Sequence, residues 1–302
     1  MVYNNKKKGG MGMAIKILSD SGCDLPKEII EEFNIDILPI IVIKDDKEYL
    51  DGVTIQPKEV YDGMRRGEVF KTAQIPLNAF NDKFLEYAKN GETVIYLAFS
   101  SELSGTYQTS LLAKESILDQ YPNLDLEIID TKAASGGFGL IVYHAAKMAK
   151  EGKTKEEILK AIEFYKENIE HIFTVDDIEY LFRGGRVTRT QAFLGGLLNI
   201  KPVLTVIDGK LIPLEKVRGR NKVFKAMLDF VKEKGKEANL KEQLICITHG
   251  DDLEGAMKLK ELLRGEFGCE SFLINSVGAA IGAHSGPGTL TIFFFKRNYE
   301  DF

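Results

Sequence analysis

The chain has 302 residues, enough for one large or two ordinary domains, and its 40 basic and 45 acidic side chains give a net charge of −5 at pH 7. Such a mildly acidic chain lacks the basic surface of a general nucleic-acid binder and the electrostatic attraction to anionic membranes. No apolar run approaches the roughly 20 residues that span a bilayer, and three cysteines without a C-x-x-C pair favour a reducing, cytoplasmic location over a disulfide framework or a zinc site.

The N-terminal half alternates short β-type runs with amphipathic helical runs. We expect residues 1–12 to be a disordered extension or an expression remnant, and Asp24 to cap the first helix. Strands are predicted over Ala14–Ser19, Ile35–Ile43, Glu92–Phe99 and Leu124–Asp130. Helices are predicted over Pro57–Arg66, Phe80–Lys89 and Thr106–Leu118, and from the loop Thr131–Gly139 to about Lys150.

Three of these strands run directly into a loop rich in Ser or Gly that opens a helix. The loops begin near Asp20, Ser100 and Thr131. This rhythm is typical of an α/β protein with a parallel, doubly wound sheet. Ligands of such sheets lie beyond the C-terminal ends of the strands, where these loops meet.

The pattern changes after a long amphipathic helix over Thr154–Glu170, for which Thr154 is the expected cap. We therefore place a domain boundary near residue 171, between an N-terminal α/β domain (13–170) and a C-terminal α/β domain (171–302). The second domain has predicted strands over Ile172–Val175, Pro202–Ile207, Lys210–Leu214, Leu244–Thr248, Glu270–Ile274 and Thr289–Phe295, predicted helices over Asn221–Glu233 and Leu253–Arg264, and a Gly-rich loop over Gly278–Gly288.

The segment Ser100–Tyr107 favours an anion site. A loop at a helix N-terminus offers unpaired N–H groups and the positive end of the helix dipole, which suit a phosphate or a carboxylate. Simple capping would need one hydroxyl, whereas this loop has four, on Ser100, Ser101, Ser104 and Thr106.

Histidine and arginine side chains supply further candidates. His284 has small residues on both sides, so a ligand could approach it as easily as a packed neighbour. The basic clusters are either solvated surface or a recognition site, since guanidinium groups on a flexible loop suit phosphate or carboxylate. They comprise Arg183, Arg186, Arg189, Arg218 and Arg220.

An enzymatic interpretation stays open at this point. A Ser/His esterase would use Ser104 as nucleophile, His284 as base and Asp20 to orient the imidazole. Against this, the chain has no G-x-S-x-G elbow, no P-loop and no H-E-x-x-H motif. We therefore assign no catalytic residue and no metal ligand, and keep an esterase or a phosphoryl-transfer enzyme as the alternative function.

Taken together, the motifs resemble those of the DegV family of bacterial fatty-acid-binding proteins. The resemblance runs from about Ala14 to Phe295, and its elements follow the order of the family. They are Asp20–Pro26, Lys71–Pro76, Ser100–Tyr107, Asp130–Gly137, Tyr180–Val187, Lys216–Gly219 and Gly282–Thr289.

The resemblance implies two α/β domains with a long-chain fatty acid, such as palmitate or oleate, in an apolar tunnel between them. Thr72 and Ser104 match the hydroxyls that hold the carboxylate, His284 matches the family's histidine, and we add Ser101 to this set. The family's fatty acid kinase, a separate protein, would use ATP to make an acyl phosphate for phospholipid synthesis. Arg186, Arg218 and Arg183 would then face the kinase or the transferred phosphate, with no cofactor besides the bound fatty acid.

Overall fold

The computed structural model describes residues 15–188 and 200–299. The predicted extension over residues 1–12 and the side chain of Arg189 lie outside them. The first half of the chain contains strands β1 to β7 and helices α1 to α6. The strands are β1 (Lys16–Asp20), β2 (Asp36–Leu38), β3 (Ile41–Lys44), β4 (Lys47–Leu50), β5 (Lys71–Ala73), β6 (Thr93–Ala98) and β7 (Asp125–Asp130). The helices are α1 (Lys27–Glu32), α2 (Pro57–Arg65), α3 (Leu77–Asn90), α4 (Thr106–Leu118), α5 (Ser135–Lys150) and α6 (Lys155–Asn168).

The predicted doubly wound sheet is confirmed. Four parallel strands lie in the order β2-β1-β6-β7. Successive residues of a strand face opposite sides of its sheet. On β6, Tyr96 packs with Phe80 of α3 on one side, and Ile95 and Leu97 pack on the other side in the cluster that contains Phe138 of α5. Helices therefore cover both faces of the sheet, and Thr154 caps α6 as predicted, with its side chain accepting a hydrogen bond from Glu157 N–H.

The prediction of a single strand over Ile35–Ile43 is wrong. Pro39 has no N–H to give to a ladder, so the run divides into β2 and β3. The second piece joins a separate antiparallel sheet of order β4-β3-β5, in which Val42 pairs with Thr72. This small sheet places Thr72 beside the second half of the chain.

The second half of the chain forms a mixed six-stranded sheet of order β10-β9-β8-β13-β11-β12. Its strands are β8 (Ile169–Thr174), β9 (Ile200–Ile207), β10 (Lys210–Arg218), β11 (Leu244–His249), β12 (Ser271–Ser276) and β13 (Leu290–Phe295). Its helices are α7 (Glu179–Arg183), α8 (Arg220–Lys234), α9 (Leu253–Phe267) and α10 (Ala279–Ser285). No helix in the described ranges is long and apolar enough to cross a membrane.

Two local predictions in these segments are corrected. The Gly-rich loop over Gly278–Gly288 is largely the helix α10, because its N-terminus is capped from elsewhere in the chain. Asp24 does not cap α1, which begins at Lys27 after Pro26. Instead Asp24 adopts a left-handed backbone with φ of 48° and turns its carboxylate inward.

Two buried carboxylates of the first half hold the N-terminus of α10. Asp24 accepts a hydrogen bond from Gly278 N–H at 2.9 Å, and Asp51 accepts one from Ala279 N–H at 2.9 Å. Asp51 also accepts from the hydroxyl of Ser21 at 2.8 Å. The first N–H groups of a helix have no partner within it, so these carboxylates supply what a short helix lacks.

We predict that Asp51→Ala destabilises the protein. The substitution leaves the buried N–H of Ala279 and the half-buried hydroxyl of Ser21 without their acceptor, and an unpaired buried group costs roughly 1–3 kcal/mol. Asp51→Asn keeps one carbonyl oxygen and should lose less. The measurement is the free energy of unfolding in denaturant, with the exposed Asp119→Ala as the matched control. Equal stability of Asp51→Ala and Asp119→Ala would contradict the capping role.

Candidate functional site

A cavity of about 430 Å³ lies between the six-stranded sheet and the loops of the first half. Its wall is mainly apolar, and its residues come from both halves of the chain. The sheet contributes Phe173, Val206, Leu211 and Phe293, and the loops and α10 contribute Ile40, Phe99, Leu103, Val277 and Ile281. This volume and this lining are typical of a pocket for a small apolar ligand.

Thr72 and His284 meet at one end of the cavity. The hydroxyl of Thr72 on β5 lies 2.7 Å from Nε2 of His284 on α10, although the two residues are 212 positions apart. Burial and the nearby Arg186 guanidinium lower the pKa of His284 to about 3, so the ring is neutral at physiological pH. A neutral imidazole that donates from Nε2 leaves the Thr72 hydroxyl proton for an anion in the cavity.

The serine loop contributes one hydroxyl to the cavity rather than four. Ser104 lines the wall, and its Oγ lies 2.9 Å from the hydroxyl of Thr106. Ser101 is turned away: its Oγ accepts a hydrogen bond from Lys132 at 2.7 Å. Ser100 donates to the carbonyl of Gly209 at 2.9 Å and so ties the loop to the β9–β10 hairpin. The structure therefore removes Ser101 from the group of residues that line the cavity.

The three arginines singled out in the sequence occupy different positions. Arg186 lines the cavity, and its guanidinium donates to the carbonyl oxygen of Leu103 at 2.9 and 3.1 Å and to that of Gly184. These acceptors carry no net charge, so they do not neutralise the guanidinium. Arg183 and Arg218 are exposed. Arg183 lies over the ring of Tyr180 with 4.9 Å to its centroid.

A second cavity of about 220 Å³ adjoins the first at His284. His284 lines both cavities, and the second one also has Lys71, Tyr180 and Arg183 in its wall. Lys71 and Arg183 are exposed, so this second cavity lies between His284 and a part of the surface with two basic side chains, and its wall also contains Glu68.

The wall of the cavity also contains Ser135 and Thr291, which belong to a hydroxyl network anchored on Asp24. Ser135 donates to the Asp24 carboxylate at 2.5 Å and lies 2.9 Å from the hydroxyl of Thr248. The hydroxyl of Thr248 lies 2.8 Å from that of Thr291. Burial raises the pKa of Asp24 well above its usual value, and the hydrogen bond from Ser135 opposes this rise. The network joins α5 to the second sheet beside the cavity.

The residues of the alternative esterase are not assembled as a triad. His284 Nε2 contacts Thr72, Ser104 contacts Thr106, and Asp20 accepts hydrogen bonds from Phe99 N–H and Tyr96 OH. Burial raises the pKa of Asp20 to about 7. Within residues 15–188 and 200–299, no cluster of three or more His, Cys, Asp or Glu side chains could hold a metal ion.

Sequence reasoning did not identify several residues of the wall. His171, Gln74 and Ser285 line the cavity but were not predicted to do so. For His171 a signal was present, since the alternation of a strand places residue 171 on the same face as Phe173. For Gln74 and Ser285 no local pattern distinguishes a cavity position from an ordinary loop or helix end.

Comparison with known proteins places this geometry in a family. The sequence model of the DegV protein family matches residues 14–297 of this chain. A DegV domain-containing protein of Clostridium perfringens is 42% identical over 287 residues, which cover 94% of this chain and 98% of that one. A solved fatty-acid-binding DegV family protein from Thermus thermophilus has a TM-score of 0.84 at 30% identity, covering 93% of this chain and 99% of its own. A solved stearic acid-binding protein from Eubacterium ventriosum has a TM-score of 0.89 at 27% identity, covering 95% and 100%. This chain belongs to the DegV family.

Proposed function

We propose that the protein binds one long-chain fatty acid, such as palmitate or oleate, with the acyl chain in the apolar cavity and the carboxylate beside Thr72, Ser104 and His284. The contact between Thr72 and His284 at the end of an apolar cavity carries this proposal. Solved relatives that bind fatty acids support it.

The apolar and the polar parts of the cavity wall match the two parts of a fatty acid, its acyl chain and its carboxylate. Each buried methylene contributes about 0.8 kcal/mol, so the apolar wall supplies affinity without polar contacts along the chain. A carboxylate in the same cavity needs hydrogen bonds, because an unpaired buried charge is strongly disfavoured. The hydroxyls of Thr72 and Ser104 donate these bonds, and the uncompensated charge of Arg186 attracts the anion.

We further propose that the protein is a carrier, and that a separate ATP-dependent fatty acid kinase performs the chemistry. A carboxylate oxygen attacks the γ-phosphorus of ATP held by the kinase, a carbon–oxygen–phosphorus link forms, and the bond to the β-phosphate breaks as ADP leaves. The absence of a P-loop from the sequence, and Lys71 and Arg183 in the wall of the second cavity next to His284, support this division of roles. In it Arg183 and Arg218 face the kinase, and Arg186 faces the carboxylate.

The first prediction is that the purified protein carries one fatty acid per chain. The apolar wall should retain the ligand through purification, because its release exposes the acyl chain to water. Native mass spectrometry of fresh and delipidated protein is the measurement. The proposal fails if well-folded protein carries no fatty acid and added palmitate and oleate do not bind.

The second prediction concerns the head-group hydroxyls. Thr72→Val keeps the shape of the side chain but removes its hydroxyl, and Ser104→Ala does the same at the loop. Each loses a hydrogen bond to a charged group, so we expect the Kd for palmitate to rise roughly tenfold to a hundredfold. Thr72→Ser restores the donor and should restore most of the affinity.

Ser101→Ala is the matched control for Ser104→Ala, because both change one serine of the same loop and Ser101 does not line the cavity. Its affinity should equal that of the wild type. If the Ser101 and Ser104 variants weaken binding equally, the hydroxyl of Ser104 has no special role.

The third prediction separates binding from phosphorylation. Arg183→Ala and Arg218→Ala should leave palmitate affinity unchanged and should lower the rate of acyl phosphate formation with a cognate kinase and ATP. Arg186→Ala should weaken binding as well, because this side chain lines the cavity and bonds to Leu103. The exposed Arg297→Ala is the control, since Arg297 is paired with Glu237 beyond the end of β13. Rates for the Arg183 and Arg218 variants that match the control would remove these arginines from the kinase-facing surface.

A further inference from the structure

The side chain of Gln74 connects the two elements that carry the head-group hydroxyls. Thr72 and Gln74 are alternate residues at the end of β5, and both line the cavity. The carboxamide Nε2 of Gln74 donates a hydrogen bond to the hydroxyl of Thr109 in the first turn of α4, at 2.6 Å. Gln74 therefore joins the strand that carries Thr72 to the helix that begins directly after the loop of Ser104.

Three further hydrogen bonds continue this connection as far as Ser104. The N–H of Ile75 donates to the hydroxyl of Thr106 at 3.4 Å, and that hydroxyl lies 2.9 Å from Oγ of Ser104. The hydroxyl of Thr109 donates to the carbonyl oxygen of Gly105 at 3.1 Å. The segment after β5 thus holds the start of α4 through one side chain and one backbone N–H group.

Gly105 leaves the space that the carboxamide of Gln74 occupies. A Cβ added to Gly105 would overlap Oε1 of Gln74. The φ of Gly105 is −73°, which any residue can adopt, so the position needs glycine for space and not for its backbone. Thr72 and Ser104 each lie within two positions of this contact, and the contact therefore determines how far apart their hydroxyls are.

The same hydrogen bonds leave the proton of Ser104 for a ligand. Oγ of Ser104 accepts from the N–H of Thr106 at 3.3 Å, and it accepts a second time when the hydroxyl of Thr106 donates to it. A hydroxyl has two lone pairs and one proton, so a serine that accepts twice has its own O–H to donate. An anion beside Ser104 favours this direction because it attracts that proton.

We propose that Gln74 is a positioning residue for the carboxylate, which holds the first turn of α4 against the end of β5 and so fixes the distance between the hydroxyls of Thr72 and Ser104. The inference rests on the proposed fatty-acid binding and adds a residue to its head-group site. Because Gln74 acts through Thr109, its loss should weaken recognition of the charged head group and leave the apolar wall unchanged. A ligand with the same alkyl chain and no charge distinguishes these two effects.

The experiment measures the Kd of the delipidated full chain for palmitate and for hexadecan-1-ol. Gln74→Met keeps the length of the side chain but cannot donate. We expect it to raise the Kd for palmitate about three- to tenfold, as the loss of one hydrogen bond does, and to change the Kd for the alcohol much less. Gln108→Met is the matched control, since Gln108 is an exposed glutamine in the same turn of α4 and does not line the cavity.

Equal losses for the two ligands, or a palmitate affinity of Gln74→Met equal to that of the control, overturn the inference. If the wild-type protein does not bind palmitate, the proposed function fails instead, so the two failures are distinguishable.

Two further substitutions test the connection through α4. Thr109→Val keeps the shape of the side chain and removes the acceptor of Gln74. Combined with Gln74→Met it should give less than the sum of the two single losses, because both remove the same contact, and fully additive losses contradict the connection. Gly105→Ala displaces the carboxamide without changing Gln74, and it should give the same selective loss for palmitate. Melting temperatures show whether each variant is folded, and the double variant decides the matter if the alcohol does not bind to the wild type.

Discussion

The contact of two buried carboxylates with the N-terminus of α10 is the constraint on which the site depends. A helix of seven residues that contains glycine has little stability of its own, and its first N–H groups need external acceptors. Asp24 and Asp51 provide them from the other half of the chain. Because His284 is the last residue but one of this short helix, its position relative to Thr72 follows from the capping.

The same carboxylates connect the walls of the cavity. Asp24 binds Ser135 at the start of α5 while it holds Gly278, so one buried carboxyl group links two elements that enclose the cavity. Burial raises the pKa of both Asp24 and Asp51, because a carboxylate that is removed from water loses the solvation of its charged form. Buried polar contacts of this kind contribute less to net stability than to a single geometry, and the contact between Thr72 and His284 depends on such a geometry.

The cavity separates affinity from recognition. In the proposed complex the apolar wall gains free energy from the alkyl chain, whereas a few polar groups decide where the carboxylate lies. Thr72, His284 and Ser104 define one end, and Arg186 adds charge there while it braces the loop through Leu103.

The sequence by itself determined the alternation of strands and helices, the parallel sheet and the loops that open α4 and α5, because hydrophobic period and capping residues are local signals. It also indicated Ser104, through the hydroxyl-rich loop at a helix N-terminus, and His284, through the small residues around it, whereas Thr72 was indicated through resemblance to the DegV family. Tertiary structure decided that Ser101 points to Lys132, that Arg186 lines the cavity, and that the glycine-rich segment forms α10. These outcomes depend on hydrogen-bond partners more than 20 residues away, such as Asp24 for Gly278, and no local pattern in the sequence encodes the direction of a side chain toward a distant partner.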